Sequence, residues 1–213
     1  MPAPRRERWA GTSSTCSTSR PATWASSWAT PSARVSPGRL IAYLQSAIRS
    51  QSRRAVDDLG GLAAAVNRVF HDCTAPEHFA TLFLAAWDEG TRALRYVNCA
   101  HPAPVVRRRD GRIERLRPTA FALGLFEDAT PSVAETAFEA GDLLVAFTDG
   151  VVEARRDDEE FGDERLVAAL EPLAARKAEE IAAGLLEAVA SFAADEDRDD
   201  RAVLVARAKE ARR

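Results

Sequence analysis

The chain has 213 residues, 23.1 kDa, 46% of them hydrophobic and 29% charged, which suffices for one ordinary core with extensions and excludes a small disulfide scaffold. A formal charge of −3 and a pI near 5.7 give no general electrostatic case for nucleic acid or an anionic membrane. The three cysteines, Cys16, Cys73 and Cys99, have no metal-ligand spacing and suit reduced thiols in a cytoplasm, and no apolar run of about 18 residues is present to form a membrane segment or, behind Arg5, Arg6 and Arg8, a secretory signal.

Residues 1–37 differ from the rest. They hold eight Ser, five Thr, five of the eleven Pro and three of the four Trp, but Val35 is their one residue among Val, Ile, Leu and Phe. Such a segment has little to bury, which fits a disordered Ser/Thr/Pro-rich tail. Trp9, Trp24 and Trp28 are unusual in a tail, and they suggest an out-of-frame reading of a gene. With G or C chosen at most wobble bases and the frame moved by two bases from Trp9, the run WAGTSSTCSTSRPATWASSWATPSARV can be read as GGDFFDVFDLAAGHLGFVVGDAVGKGV. This shadow has the apolar strand pattern, glycine turns and aspartates that the written residues lack.

From Gly38 the pattern is regular. Leu40, Leu44 and Ile48, then Leu62, Val66 and Phe70, recur at helical spacing and predict helices over about 38–52 and 59–71, the second starting at Asp57-Asp58. Two strands, 79–87 and 93–100, flank the turn Asp88-Glu89-Gly90-Thr91. A second hairpin turns at Asp110-Gly111 between APVVRRR and RIERLR, whose charge suggests an edge or solvent-facing pair. Segments 132–138 and 142–148 read as a further strand pair, the continuous LLVAF being expected of a strand covered on both faces. Helices over about 162–173 and 177–193 follow, the latter with Ile181, Leu185, Val189 and Phe192 as its buried stripe, and the chain closes with a strand over 202–208. This order is α+β and not a strict βαβ alternation.

Two acidic sites stand out. Asp149 directly follows the LLVAFT strand, and Asp199-Asp200 directly precede the last strand. If the two strands are antiparallel neighbours, the carboxylates can converge, and hard Mg2+ or Mn2+ would stabilise them. Taken singly, Asp149-Gly150 reads as a turn or cap and the acidic run 195–200 as a solvated loop. His101, between a strand and the Pro102/Pro104 turn, reads first as an imidazole bonded to backbone, Cys99 as a small buried side chain, and the arginine-rich hairpin as a solvated face without aromatic interleaving. There is no phosphate-binding G-x-x-x-x-G-K-[ST] loop.

FATLFLAAWDEGTRALRYVNCAHPAPVVRRRDG, ALGLFED, FEAGDLLVAFTDGVVEARRDDEEFGDERL and DDRAVLVA, in this order, resemble the phosphatase domain of the SpoIIE-type branch of the PPM (phosphatase 2C-like) serine/threonine protein phosphatases. The resemblance spans about 38–207. It implies an α-β-β-α sandwich of mainly antiparallel sheets, with two Mn2+ or Mg2+ ions activating a water that attacks phosphoserine or phosphothreonine. Asp149 matches the metal aspartate of the family's T-D-G-[VL] segment and Asp199 the first aspartate of its late D-D/D-N pair, with Asp200 in the second place as a metal ligand or a neighbour of one. It also implies a phosphoprotein substrate in cytoplasmic bacterial signalling, such as an anti-sigma-factor antagonist, with neither nucleic acid nor a membrane segment involved.

The departures from the family lie early. Its G-G-D and G-D-x-x-G-K-G segments, which carry the other metal carboxylates, are absent from written residues 1–37 and present, in order, in the shadow frame. Ala100 stands where the family usually has Gly, and Ala202 where it has Thr or Ser. The expected organisation is therefore an aberrant or disordered segment over 1–37 and a phosphatase domain over 38–209, incomplete at its N-terminal side. The alternative function is a catalytically defective pseudophosphatase that binds a protein partner.

Overall fold

The computed structural model describes residues 58–76, 78–193 and 201–208, and the backbone of 22–28. The helix expected over 38–52 and the residues Asp199 and Asp200 lie outside the described residues. Four layers stack as helix, sheet, sheet, helix. Helix α1 (Leu59–Cys73) opens on Asp58, whose Oδ1 accepts the Gly61 amide at 2.8 Å. Its apolar stripe, Leu59, Leu62, Val66 and Phe70, packs on the first sheet. That sheet has the order β1 (Ala22–Trp28), β2 (Thr81–Asp88), β3 (Ala93–Cys99) and β6 (Ala134–Ala137). The second has the order β10 (Val203–Arg207), β7 (Leu143–Phe147), β4 (Val105–Arg107) and β5 (Ile113–Arg115). All these strand pairs are antiparallel.

Side-chain alternation explains the layering. In β2, Leu82, Leu84 and Ala86 face α1, while Phe83 and Ala85 meet the second sheet. In β7, Leu144 and Ala146 face the first sheet, while Leu143, Val145 and Phe147 pack beneath α3 (Gly162–Leu170) and α4 (Ala178–Phe192). LLVAF is continuously apolar because both of its faces are covered. The stripe Ile181, Leu185, Val189 and Phe192 is buried as expected.

Three features differ from the sequence expectation. Segments 132–138 and 142–148 are not partners: β6 pairs with β3 and β7 with β4 and β10, so the chain crosses between sheets at the Gly141 turn, where φ is +95°. The helix expected over 162–173 stops at Leu170 and continues as one 3-10 turn, Glu171–Leu173, because Pro172 has no amide for the α ladder. Strand β1 lies within the segment whose written residues predict no strand; an edge strand can be held by main-chain bonds, and Trp and Thr tolerate extended backbone. A short helix α2 (Asp149–Val152) and a ribbon of β8 (Arg155–Arg156) with β9 (Glu159–Glu160) follow β7.

Candidate functional site

Strand β7 is central in its sheet and delivers its C-terminal end between β4 and β10. Thr148 leaves the strand in extended conformation, and Asp149 begins α2 with a half-buried side chain whose Oδ1 accepts the Gly150 amide at 2.9 Å. Thr148 is buried and clasps the start of β10. Its amide donates to the Ala202 carbonyl at 3.1 Å, and its Oγ1 accepts the Ala202 amide at 2.9 Å. The condition stated for convergence is therefore met: β7 and β10 are antiparallel neighbours, with Val203 opposite Phe147. The chain that follows Asp199 and Asp200 enters the sheet beside Asp149.

Among the described residues no group of three or more His, Cys, Asp or Glu side chains is arranged to hold a metal. Asp149 is the one expected ligand they contain, so the described donors by themselves do not fit a two-ion centre.

His101 is buried, 1% exposed, and its ring meets a side chain where backbone was the expected partner. Nδ1 lies 3.1 Å from Thr81 Oγ1, and the His101 amide donates to Asn98 Oδ1 at 2.8 Å. Burial pulls the imidazole down to about 4, partly offset by the Phe147 backbone. Cys99 is buried, and burial pushes its thiol up to about 12, against any nucleophilic role. The roles of Thr148, Thr81 and Asn98 are not apparent from spacing; the one signal is that Asn98 is a fully polar residue in a buried strand.

The arginine hairpin lies at the opposite end of β7. Arg107 forms a forked pair with Glu171 at 2.9 and 3.1 Å, Arg115 meets Asp163 at 2.9 Å, and Arg108 bonds Glu114, Thr136 and Asp142. Arg108, Arg109 and Arg112 border an open depression of about 660 Å³ that also contains Glu114, Glu139 and Asp142. Its mixed charge matches a structural face more than a polyanion site.

The family described as stage II sporulation protein E (SpoIIE) matches residues 32–209. Protein IcfG of Synechocystis sp. (strain ATCC 27184 / PCC 6803 / Kazusa) is 33% identical over 109 residues, which cover 48% of this chain and 17% of that protein. The RsbU and RsbW domains of Rv1364c from Mycobacterium tuberculosis superpose with a TM-score of 0.71 at 19% identity, covering 92% of this chain and 59% of that one. The phosphatase domain and regulatory fragment of SpoIIE from Bacillus subtilis give 0.67 at 17%, covering 90% and 56%. The catalytic domain of the serine/threonine phosphatase PstP in complex with two manganese ions gives 0.66 at 16%, covering 91% and 90%. The chain thus spans a small part of the curated relative it matches and somewhat over half of two of these structures.

Proposed function

Because the chain belongs to the SpoIIE family of phosphatase 2C-like domains, we propose that its gene encodes a metal-dependent phosphatase acting on phosphoserine or phosphothreonine of a regulatory protein in bacterial signalling. An anti-sigma-factor antagonist is the substrate class that the family resemblance suggests, in the cytoplasm. The observation that carries the reading is the β7–β10 pairing, which brings the entrance of β10 to Asp149. Asp149 and Asp199 are the carboxylates assigned to Mn2+ or Mg2+, with Asp200 beside them as ligand or as hydrogen-bond partner of one. No described helix is long and apolar enough to cross a membrane.

The written residues 1–37 supply none of the early family carboxylates, and we read this segment as an out-of-frame product ahead of a domain over 38–209. Three facts support that reading. The shadow frame contains both missing motifs, the family match begins at residue 32, and β1 occupies Ala22–Trp28, the stretch whose shadow is HLGFVVG. The shadow aspartates of the two motifs fall at the places of Gly11 and Ala29. Resequencing the codons for Trp9 to Leu40 tests the frame directly. The restored chain should release phosphate from phosphothreonine peptides only with Mn2+ or Mg2+, and Asp149→Asn should lower that rate more than ~100-fold, beyond what groups supporting a ligand cost. The incomplete donor set favours a second reading for the chain as written, a pseudophosphatase binding a protein partner. A confirmed frame, no phosphatase activity and partner binding indifferent to metal and to Asp149→Asn would establish that reading instead.

A further inference from the structure

We propose that the exposed apolar loop from Phe121 to Phe126 is a docking surface for an apolar, basic-flanked segment of the phosphoprotein substrate. The inference rests on the reading of Asp149 as part of a phosphatase centre. Topology puts the loop and Asp149 at one end of the sandwich. Strand β7 ends at Phe147, two residues before Asp149, and its antiparallel partner β4 starts at that end, with Val105 opposite Val145. Residues 100–104 join the end of β3 to the start of β4. A link this short cannot both cross the ~10 Å between sheets and run the length of a strand, so β3 finishes at the same end. There Cys99 bridges Ala120, the Asn98 carbonyl accepts the Thr119 amide at 2.8 Å, and the Ala120 carbonyl accepts the Ala100 amide at 3.2 Å. Phe121 follows directly, and Leu123 bridges Ala80, next to the start of β2.

The loop presents its largest side chains to solvent on a fixed frame. Phe121 is 66% exposed, Leu125 47% and Phe126 54%, and the two phenyl rings meet edge to face with centroids 5.1 Å apart. Between them Ala122, Leu123 and Gly124 are buried. Asn67 of α1 holds the Gly124 amide and the carbonyls of Phe126 and Glu127. The three apolar side chains together expose roughly 300 Å², the size of patch that on a monomer often marks a binding site. A stable dimer buries about 800 Å² on each partner, so the area suits a transient partner and not a second copy of the chain. A protein that brings a phosphoryl group to Asp149 approaches this end of the sandwich, and position therefore selects the substrate as that partner. Glu127 and Asp128 border Phe126, exposed and with no ion pair among the described residues, and they favour Lys or Arg beside the apolar residues of the substrate. Arg117 is exposed at the other end of the loop.

The test uses the full chain and the fluorescence anisotropy of labelled phosphothreonine peptides. One series carries Leu-Phe-Leu-Lys-Lys at about three to twelve residues on either side of the phosphothreonine, and the control series carries Ser-Gly-Ser-Gly-Gly in the same places. At least one apolar register should bind about tenfold more tightly than its control, and the double variant Phe121→Ser with Phe126→Ser should remove that difference. Leu125→Ser is a milder variant should the double one not fold, and it should weaken the same register. Glu127→Lys with Asp128→Lys should lower the affinity about threefold at low salt and less at high salt. Val133→Ser, at the exposed residue before β6, should change nothing. Equal binding of both series, an equal loss in Val133→Ser, or a dimer in sedimentation velocity that dissociates in the double variant would overturn the proposal. Turnover separates it from the reading it rests on. If the restored chain fails to hydrolyse even a short phosphothreonine peptide with Mn2+ or Mg2+, the phosphatase reading fails, while the binding series still reports on the loop. If it turns over, the double variant should raise KM for the apolar peptide about tenfold and leave kcat and the short peptide unchanged; an unchanged KM would count against the docking surface alone.

Discussion

Thr148 and Ala202 exchange two hydrogen bonds, main chain to main chain at 3.1 Å and Ala202 amide to Thr148 Oγ1 at 2.9 Å, and so join the end of one central strand to the start of the last. Thr148→Val keeps the shape but leaves the Ala202 amide without its acceptor. We expect a loss of about 1–3 kcal/mol, the cost of one buried unsatisfied donor. Urea titration measures it, and a change below ~0.3 kcal/mol would show that water replaces the hydroxyl there.

Asn67, 1% exposed, pins the segment that follows β5 to α1. Its Nδ2 donates to the carbonyls of Phe126 at 2.8 Å and Glu127 at 3.1 Å, and its Oδ1 accepts the Gly124 amide at 2.9 Å. Gly124 has φ +88°, and a Cβ there would come within 2.8 Å of the His78 carbonyl and 2.9 Å of the Phe70 ring. Asn67→Ala should cost roughly 2–4 kcal/mol, as expected for three hydrogen bonds lost in a buried place. Limited proteolysis should then cut first around Phe121 to Asp128, where Phe121, Leu125 and Phe126 already protrude. An unchanged cleavage pattern would mean the segment is held by Leu123 and its bridge to Ala80 without help from Asn67.

Much of this arrangement can be read in the sequence because periodicity reports burial. The stripe of α4 and the unbroken apolar run of β7 are found that way, and the position of Asp149 after β7 follows directly. Partner choice between strands is harder to read. Segments 134–137 and 143–147 look like a hairpin because a glycine turn separates them, yet Asp142 redirects the chain: its carboxylate accepts the amides of Glu139 at 3.0 Å and Arg109 at 2.9 Å and pairs with Arg108 at 2.9 Å. The bonds to Arg108 and Arg109 join residues over thirty positions apart, beyond any local pattern. The contact of His101 with Thr81, at the start of β2 and 20 positions earlier, is likewise non-local.

The two described cysteines should differ sharply toward alkylation. Cys73 is exposed at the end of α1, whereas Cys99 is buried and its thiol is pushed up to about 12. At pH 8 the thiolate fraction of Cys99 is small and access is closed, so iodoacetamide should label Cys73 at least about a hundredfold faster. Peptide mass spectrometry with and without urea checks this. Native labelling of Cys99 at a comparable rate would mean that the packing of α1 on the first sheet opens readily.

His101 also predicts a pH dependence with a definite sign. Its imidazole is held at about 4 in the fold, against an ordinary value of 6.5, because burial disfavours the cation. Between these values the unfolded chain binds more protons than the folded one, so stability rises with pH across that window. The contribution is complete above pH 6.5 and is lost as the pH falls toward 4, by at most about 3 kcal/mol. Asp88 and Asp110 act in a separate, lower window: amide hydrogen bonds, from Thr91 and from Arg112 first, hold both carboxyls below 3.8, so what they contribute is lost only under more acid conditions. Urea midpoints measured from pH 7.5 to 4.5 should therefore fall in the native chain and fall less in His101→Gln, which cannot take up a proton. Parallel profiles for the two proteins would mean that His101 is hydrated in the fold, contrary to its 1% exposure.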